Sequence, residues 1–275
     1  MRRRLFNLAS GGFAGTACKD PRVDELIFKQ LLPHPGTVTA RAELGAALAA
    51  IEPPPRRPYT LVNFVASADG RVTIDGRSGK LGDDGDKELF RALRERADAV
   101  FAGVDTMATE RYGRILIQAE RRAWRESQGL APEPLACLIS RSGRLPLEIP
   151  LFNEPSARVV VFAPQPPDLN GAAAQVRYEP LAPGEPALTA AFAALRERYG
   201  VATLLCEGGP TIFAALLAER LVDELYLSVA PTLAANAGAG SIVGSGSPLA
   251  GAVALRLLTA LERNSSLYLR YAIGG

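Results

Sequence analysis

Glu207, Gly208, Gly209 and Pro210 stand between an apolar run, "TLLC", and an apolar stretch, "TIFAALL", so the sequence predicts a buried strand that turns directly into a helix. Paired glycines let a backbone pass close to a ligand because no Cβ intervenes, and proline suits the first turn of a helix. The helix start offers unpaired N–H groups and the positive end of its dipole, which together favour a phosphate or pyrophosphate. Ile212, Phe213, Leu216 and Leu217 give that helix a face to bury, holding its first turn at the carboxyl end of the strand, where open α/β sheets bind ligands. The plain alternative is a tight turn and nothing more.

Two other strand exits carry related chemistry. "AGVDTMATE" places Gly103 before a short helix, with Thr106 able to cap it or to reach a phosphate oxygen. "LISRSGRLP" leaves a strand through Ser140, Arg141 and Ser142, where a hydroxyl and a guanidinium suit a phosphate monoester, or else form an ordinary solvated turn. Three such exits in one sheet suit a ligand with several phosphates, such as a dinucleotide.

The elements that must position these residues alternate between strand and helix. "TLVNFVASADG" reads as a strand entering an Asp69-Gly70 turn, and "LGDDGDKELFRALRERADA" as a helix with an acidic start and Leu89 and Leu93 on one side. "DAVFAGVDT", "PLACLIS", "RVVVFAP" and "QVRYEP" read as short strands. "ALTAAFAALRERYG" is a helix ending at Gly200, and "VDELYLSVAP" a further strand. "AVALRLLTALERNSSLYLRYAI" folds back as a hairpin around Asn264-Ser265-Ser266. The sum is an α/β domain on a mixed, mostly parallel sheet flanked by helices, with a C-terminal antiparallel hairpin. It begins near Pro58, after a proline-rich linker, "IEPPPRRP", that ends an N-terminal extension, residues 1–57. "AANAGAGSIVGSGSPLAGA" (234–252) reads as a surface loop.

Composition narrows the classes. A chain of 275 residues that is 48% hydrophobic can bury a sizeable core, and its net charge of +2 gives no reason to expect nucleic acid. No apolar run approaches the roughly 20 residues of a membrane span. The basic start, "MRRRLFNLASGGFAGTAC", is too broken by polar residues and glycines for a secretory leader. Cys18, Cys137 and Cys206 show neither disulfide nor zinc spacing, so a reduced, cytoplasmic protein is expected.

Three signatures then carry a resemblance. "NFVASADGRVTIDGRSGKLG", "LRERADAVFAGVDT" and "LLCEGGPTIFAALLAERLVDELYLSVAPTL" occur in that order, and from about Thr60 onward the chain resembles the reductase domain of the bacterial riboflavin-biosynthesis deaminase-reductases, the pyrimidine reductase family. That resemblance implies a dihydrofolate reductase-like fold, a homodimer, NADPH as cofactor, and reduction of a phosphoribosylamino-pyrimidine by hydride transfer to the sugar C1′. It implies that Gly103, Thr106, Ser140, Arg141, Gly208, Gly209, Pro210 and Thr211 cradle NADPH, with Ser140 and Arg141 nearest the 2′-phosphate. It further implies that Asn63, Ser67, Asp69 and Glu207 line the nicotinamide and substrate pocket.

In such a reaction the cofactor brings the hydride and the protein supplies orientation and electrostatics, so a carboxylate at Asp69 or Glu207 is the expected catalytic group. Asp-Gly is also a common turn, which gives Asp69 an alternative employment. Glu207 stands beside an apolar strand end, where a carboxylate is expensive without a partner or a task. The deaminase half of the bifunctional proteins carries an H-x-E and P-C-x-x-C zinc signature; here the only histidine is His34 and the cysteines are dispersed, so reductase activity alone is expected, with no metal. Arg71 replaces the lysine usual after S-x-D-G, and Arg111 and Arg114 stand where the family has another substrate-holding stretch. A related substrate, dihydrofolate or another pteridine among them, and a non-catalytic NADP(H)-binding sensor are therefore the competing readings.

Overall fold

The computed structural model describes residues 26–49, 51–182, 187–235, 240–244 and 249–274. The leader with Cys18, and parts of the 234–252 loop, lie outside them. In chain order the elements are β1 (Ile27–Leu32), β2 (Gly36–Thr39), α1 (Ala40–Leu48), β3 (Tyr59–Ser67), α2 (Asp84–Arg96), β4 (Ala99–Gly103), α3 (Val104–Thr109) and α4 (Ala119–Ser127). There follow β5 (Leu135–Ile139), β6 (Arg158–Ala163), β7 (Gln175–Pro180), α5 (Ala187–Tyr199), β8 (Thr203–Cys206), α6 (Pro210–Ala218), β9 (Glu224–Ala230), β10 (Leu255–Arg263) and β11 (Ser266–Ile273).

All the strands join one sheet in the order β2-β1-β10-β11-β9-β3-β8-β4-β5-β6-β7. From β9 to β7 every pairing is parallel; β11, β10, β1 and β2 continue the sheet antiparallel. This is the mixed, mostly parallel α/β architecture that the alternation of elements implies. The inner parallel strands β8, β4, β5 and β6 are short apolar runs because both of their faces are covered, whereas β7 at the edge is polar and half exposed. In β4, Val100 and Ala102 enter one core with Leu89 and Leu93 of α2, while Ala99 and Phe101 enter the other with Phe192 of α5 and Phe213 of α6. Asn264 and Ser265 take positive φ, 51° and 68°, closing the β10–β11 hairpin where the sequence places it.

Two regions were not legible as elements. The described part of the N-terminal extension is built into the sheet: β1 pairs with β10, and Phe28, fully buried, meets Tyr268 of β11 edge-on at 5.2 Å. Helix α4, "AERRAWRES", has no apolar stripe because arginines do its packing. Arg121 is paired with Glu88 and Glu95, and the buried Arg125 donates from Nη1 to the carbonyls of Glu95 (2.8 Å) and Ala97 (2.7 Å) at the end of α2. No helix among the described residues is long and apolar enough to cross a membrane.

Candidate active site

Adjacent parallel strands all release their chains at one edge of the sheet. In the order β3, β8, β4, β5 these exits carry Ser67–Arg71, Glu207–Pro210, Gly103–Thr106 and Ser140–Arg141, so the phosphate-suited loops of the sequence stand side by side. A cavity of about 740 Å³ opens there. Its walls include Asn63 and Phe64 of β3, Thr106 of α3, the Glu207–Pro210 turn, and one face of α2. Asp86, Phe90 and Arg94 recur every fourth residue along that face, as helical geometry requires.

The glycines at the turn have physical reasons. Gly208 and Gly209 hold φ of 94° and 88°, a left-handed backbone that side chains disfavour. A Cβ on Gly209 would come within 3.0 Å of Thr106 Oγ1, and one on Gly103 within 2.7 Å of Ile212 Cδ1. The α3 and α6 starts can therefore approach each other only as glycine-led turns. Helix α6 begins at Pro210 with no side-chain cap, leaving the first-turn N–H groups available to a ligand. Thr106 does not cap α3, whose N-cap is Gly103; it lines the cavity instead. This cradle of bare backbone fits the phosphates of a dinucleotide.

Glu207 is nearly enclosed and fully engaged. Arg94 donates from Nε to Oε1 at 2.6 Å and from Nη2 to Oε2 at 2.7 Å, and the Tyr112 hydroxyl donates to Oε2 at 2.6 Å. Arg94 also donates from Nη1 to the Ile115 carbonyl at 2.9 Å, and its guanidinium lies over Phe90, 4.2 Å from the ring centroid. Burial opposes the charge on Arg94, but the Glu207 carboxylate outweighs it and holds the pKa above the ordinary arginine value. Burial, and then the same carboxylate, push the Tyr112 hydroxyl well above the usual tyrosine range. The sequence shows Glu207 but neither partner, which stand far from it along the chain.

The other expected residues divide. Asn63, Thr106, Glu207, Gly208, Gly209 and Pro210 line the cavity; Ser67, Asp69, Arg71, Gly103, Ser140, Arg141 and Thr211 do not. Asp69 is exposed, accepts from Ser67 Oγ at 2.6 Å and from the Ala234 and Ala235 N–H groups at 2.9 and 3.1 Å, and so ties the β3 exit to the chain beyond β9. Those hydrogen bonds, Ser67's first, hold its carboxyl at about 2. The Ser140 hydroxyl donates to the Arg144 carbonyl at 2.9 Å, while Arg141 is exposed. Arg111 and Arg114 both reach the cavity wall. Arg114 is held by Glu133 and Glu154, whereas Arg111 has no ion-pair partner among the described residues.

Known proteins resemble the chain along most of its length. It is 28% identical over 177 residues, 64% of this chain and 81% of the other, to the 2,5-diamino-6-ribosylamino-4(3H)-pyrimidinone 5′-phosphate reductase of Archaeoglobus fulgidus. The reductase of the same name from Methanothermobacter thermautotrophicus is 23% identical over 224 residues, 80% of this chain and all of that one. A pyrimidine reductase-like protein from Corynebacterium diphtheriae shares the fold with a TM-score of 0.72 at 24% identity, over 86% of this chain and all of that one. The family model of the RibD C-terminal domain matches residues 58–268, and the protein belongs to that family.

Proposed function

We propose that the protein is an NADPH-dependent reductase of a ribosylaminopyrimidine 5′-phosphate. The observation that carries this reading is the continuity of one cavity between the uncapped, glycine-led start of α6 and the polar and aromatic wall formed by Asn63, Asp86 and Phe90. Bound NADPH supplies a hydride. The α6 start and Thr106 would hold its phosphates, and Arg141, exposed at the neighbouring exit, its 2′-phosphate. Phe64 and Phe90 offer aromatic surface to a pyrimidine, and Arg111 at the wall offers a guanidinium to the sugar phosphate.

The chain's residues bind and orient, so that the sugar carbon of an opened ribosylamine, a C1′=N imine, faces the hydride donor. Because Glu207 is saturated by Arg94 and Tyr112, and Asp69 by the turn around it, both act here as positioning groups. A homodimer, which the resemblance implies, and a cytoplasmic location, expected from the cysteine pattern, complete the proposal. Its test follows NADPH absorbance with the diaminopyrimidinone and the aminouracil forms of the ribosylamino phosphate, with dihydrofolate in parallel. Turnover of either pyrimidine and none of dihydrofolate is expected. Turnover of dihydrofolate alone would replace the substrate, and NADPH binding without any turnover would make the protein a sensor.

A further inference from the structure

The carboxylates expected from the sequence to do chemistry, Glu207 and Asp69, are occupied, yet the cavity that Glu207 lines holds another carboxyl with one oxygen unengaged. Asp86 lies in the first turn of α2 and forms part of the cavity wall with Asn63 and Phe90. Its Oδ1 is buried and has no hydrogen-bond partner among the described residues. Its other oxygen lies against Gly82, where a Cβ would collide with it. The turn is held in place from outside the helix. Asp83 caps α2 by accepting the Asp86 N–H at 2.8 Å, and Asp83 in turn accepts from the Tyr268 hydroxyl at 2.7 Å and from Ser266 Oγ at 2.8 Å. Gly85 leaves the space that the Tyr268 hydroxyl occupies.

A buried carboxyl oxygen without a partner costs stability unless the group is neutral or has a ligand to meet. We propose that Asp86 is the acid of this cavity, delivering a proton to the substrate nitrogen as hydride arrives on the adjacent carbon. The inference rests on the reductase reading above. The C1′=N double bond opens, carbon gains the hydride and nitrogen the proton; the nicotinamide is oxidised, the imine is reduced to an amine, and the Asp86 carboxylate regains its proton from water.

The surroundings suit a proton donor. Desolvation raises the Asp86 pKa above the ordinary aspartate value, with the Asp83 charge adding to it; Ser228 of β9, by hydrogen bonding, and Lys87 act in the opposite direction. From the remaining neighbours, β3 presents the neutral Asn63, and the Tyr268 hydroxyl of β11 is engaged by Asp83.

The test compares wild type with Asp86→Asn and Asp86→Glu in kcat, KM and thermal midpoint across pH. In the wild type kcat should fall on the alkaline side as the carboxyl ionises. Asp86→Asn should lose about 100-fold or more in kcat together with that alkaline limb, keep its NADPH affinity, and be partly rescued by Asp86→Glu. A raised carboxyl pKa means that wild-type stability declines as pH rises from the ordinary aspartate range through the raised value, so Asp86→Asn should gain on wild type in thermal midpoint across that window. A melting loss with kcat and its pH profile retained would make Asp86 structural and overturn the proposal. Wild-type silence with both pyrimidines overturns the reductase reading, and this inference with it; an active wild type with an equally active Asp86→Asn overturns this inference alone.

Discussion

A carboxylate at the end of a buried strand needs compensation, and at Glu207 the compensation is two residues that the sequence could not connect to it. The E-G-G-P stretch was legible as a candidate site because glycine and proline have local meanings. Arg94 and Tyr112 were not, because their contribution exists only once α2 and the chain after α3 converge on β8. Removing the Glu207 charge would leave Arg94 buried without a counter-ion, a loss on the order of 3–5 kcal/mol that would mask any catalytic effect. Tyr112→Phe is the cleaner probe, since it deletes one hydrogen bond to a charged acceptor and keeps the ion pair. It should cost about 1.5–3 kcal/mol in urea unfolding and lower kcat/KM by roughly tenfold, with NADPH affinity little changed. A variant as stable as wild type would mean that the hydroxyl does not hold Glu207 in solution.

Between elements, what decides the site is how closely α6 and α3 approach each other at the sheet edge. The strand-glycine-helix junctions could be read from short-range pattern alone, and the hairpin from its turn residues. Helix α4 escaped because its periodic residues are arginines, whose packing value lies in carboxylates and carbonyls on α2. Gly209 is the sharpest test of the junction. Gly209→Ala places a side chain at φ 88° and 3.0 Å from Thr106 Oγ1, so both the backbone and the gap between the two helix starts must give. Its NADPH dissociation constant should rise at least tenfold. Gly200→Ala is the control: Gly200 also holds a positive φ, 67°, but has nothing near its Cβ position, so it should cost about 1–2 kcal/mol of stability and leave NADPH binding intact. Equal effects on binding from the two variants would show that global destabilisation, not the junction, sets affinity.

Across the molecule, the N-terminal strands and the cavity are linked by a chain of contacts. Phe28 of β1 packs edge-on against the Tyr268 ring, the Tyr268 hydroxyl holds Asp83, Asp83 caps α2, and α2 carries Asp86, Phe90 and Arg94 into the cavity wall. None of this could be read from "IFKQLLPHPGTVT", because β1 is specified by β10, more than 220 residues further on, rather than by its own pattern. Phe28→Ala should therefore act in two places. Losing a fully buried aromatic side chain costs about 3–5 kcal/mol, which in a chain of this size lowers the thermal midpoint on the order of 10 °C. Loosening Tyr268 should also raise the substrate KM more than the NADPH dissociation constant, because α2 supplies Asp86 and Phe90 to the wall proposed for the pyrimidine, whereas it reaches the α6 start only through the Arg94–Glu207 pair. A midpoint within 2 °C of wild type would mean that residues 26–49 do not complete the sheet in solution. A full thermal loss with substrate and cofactor affinities changed equally would confine their influence to stability and break the proposed link to the site.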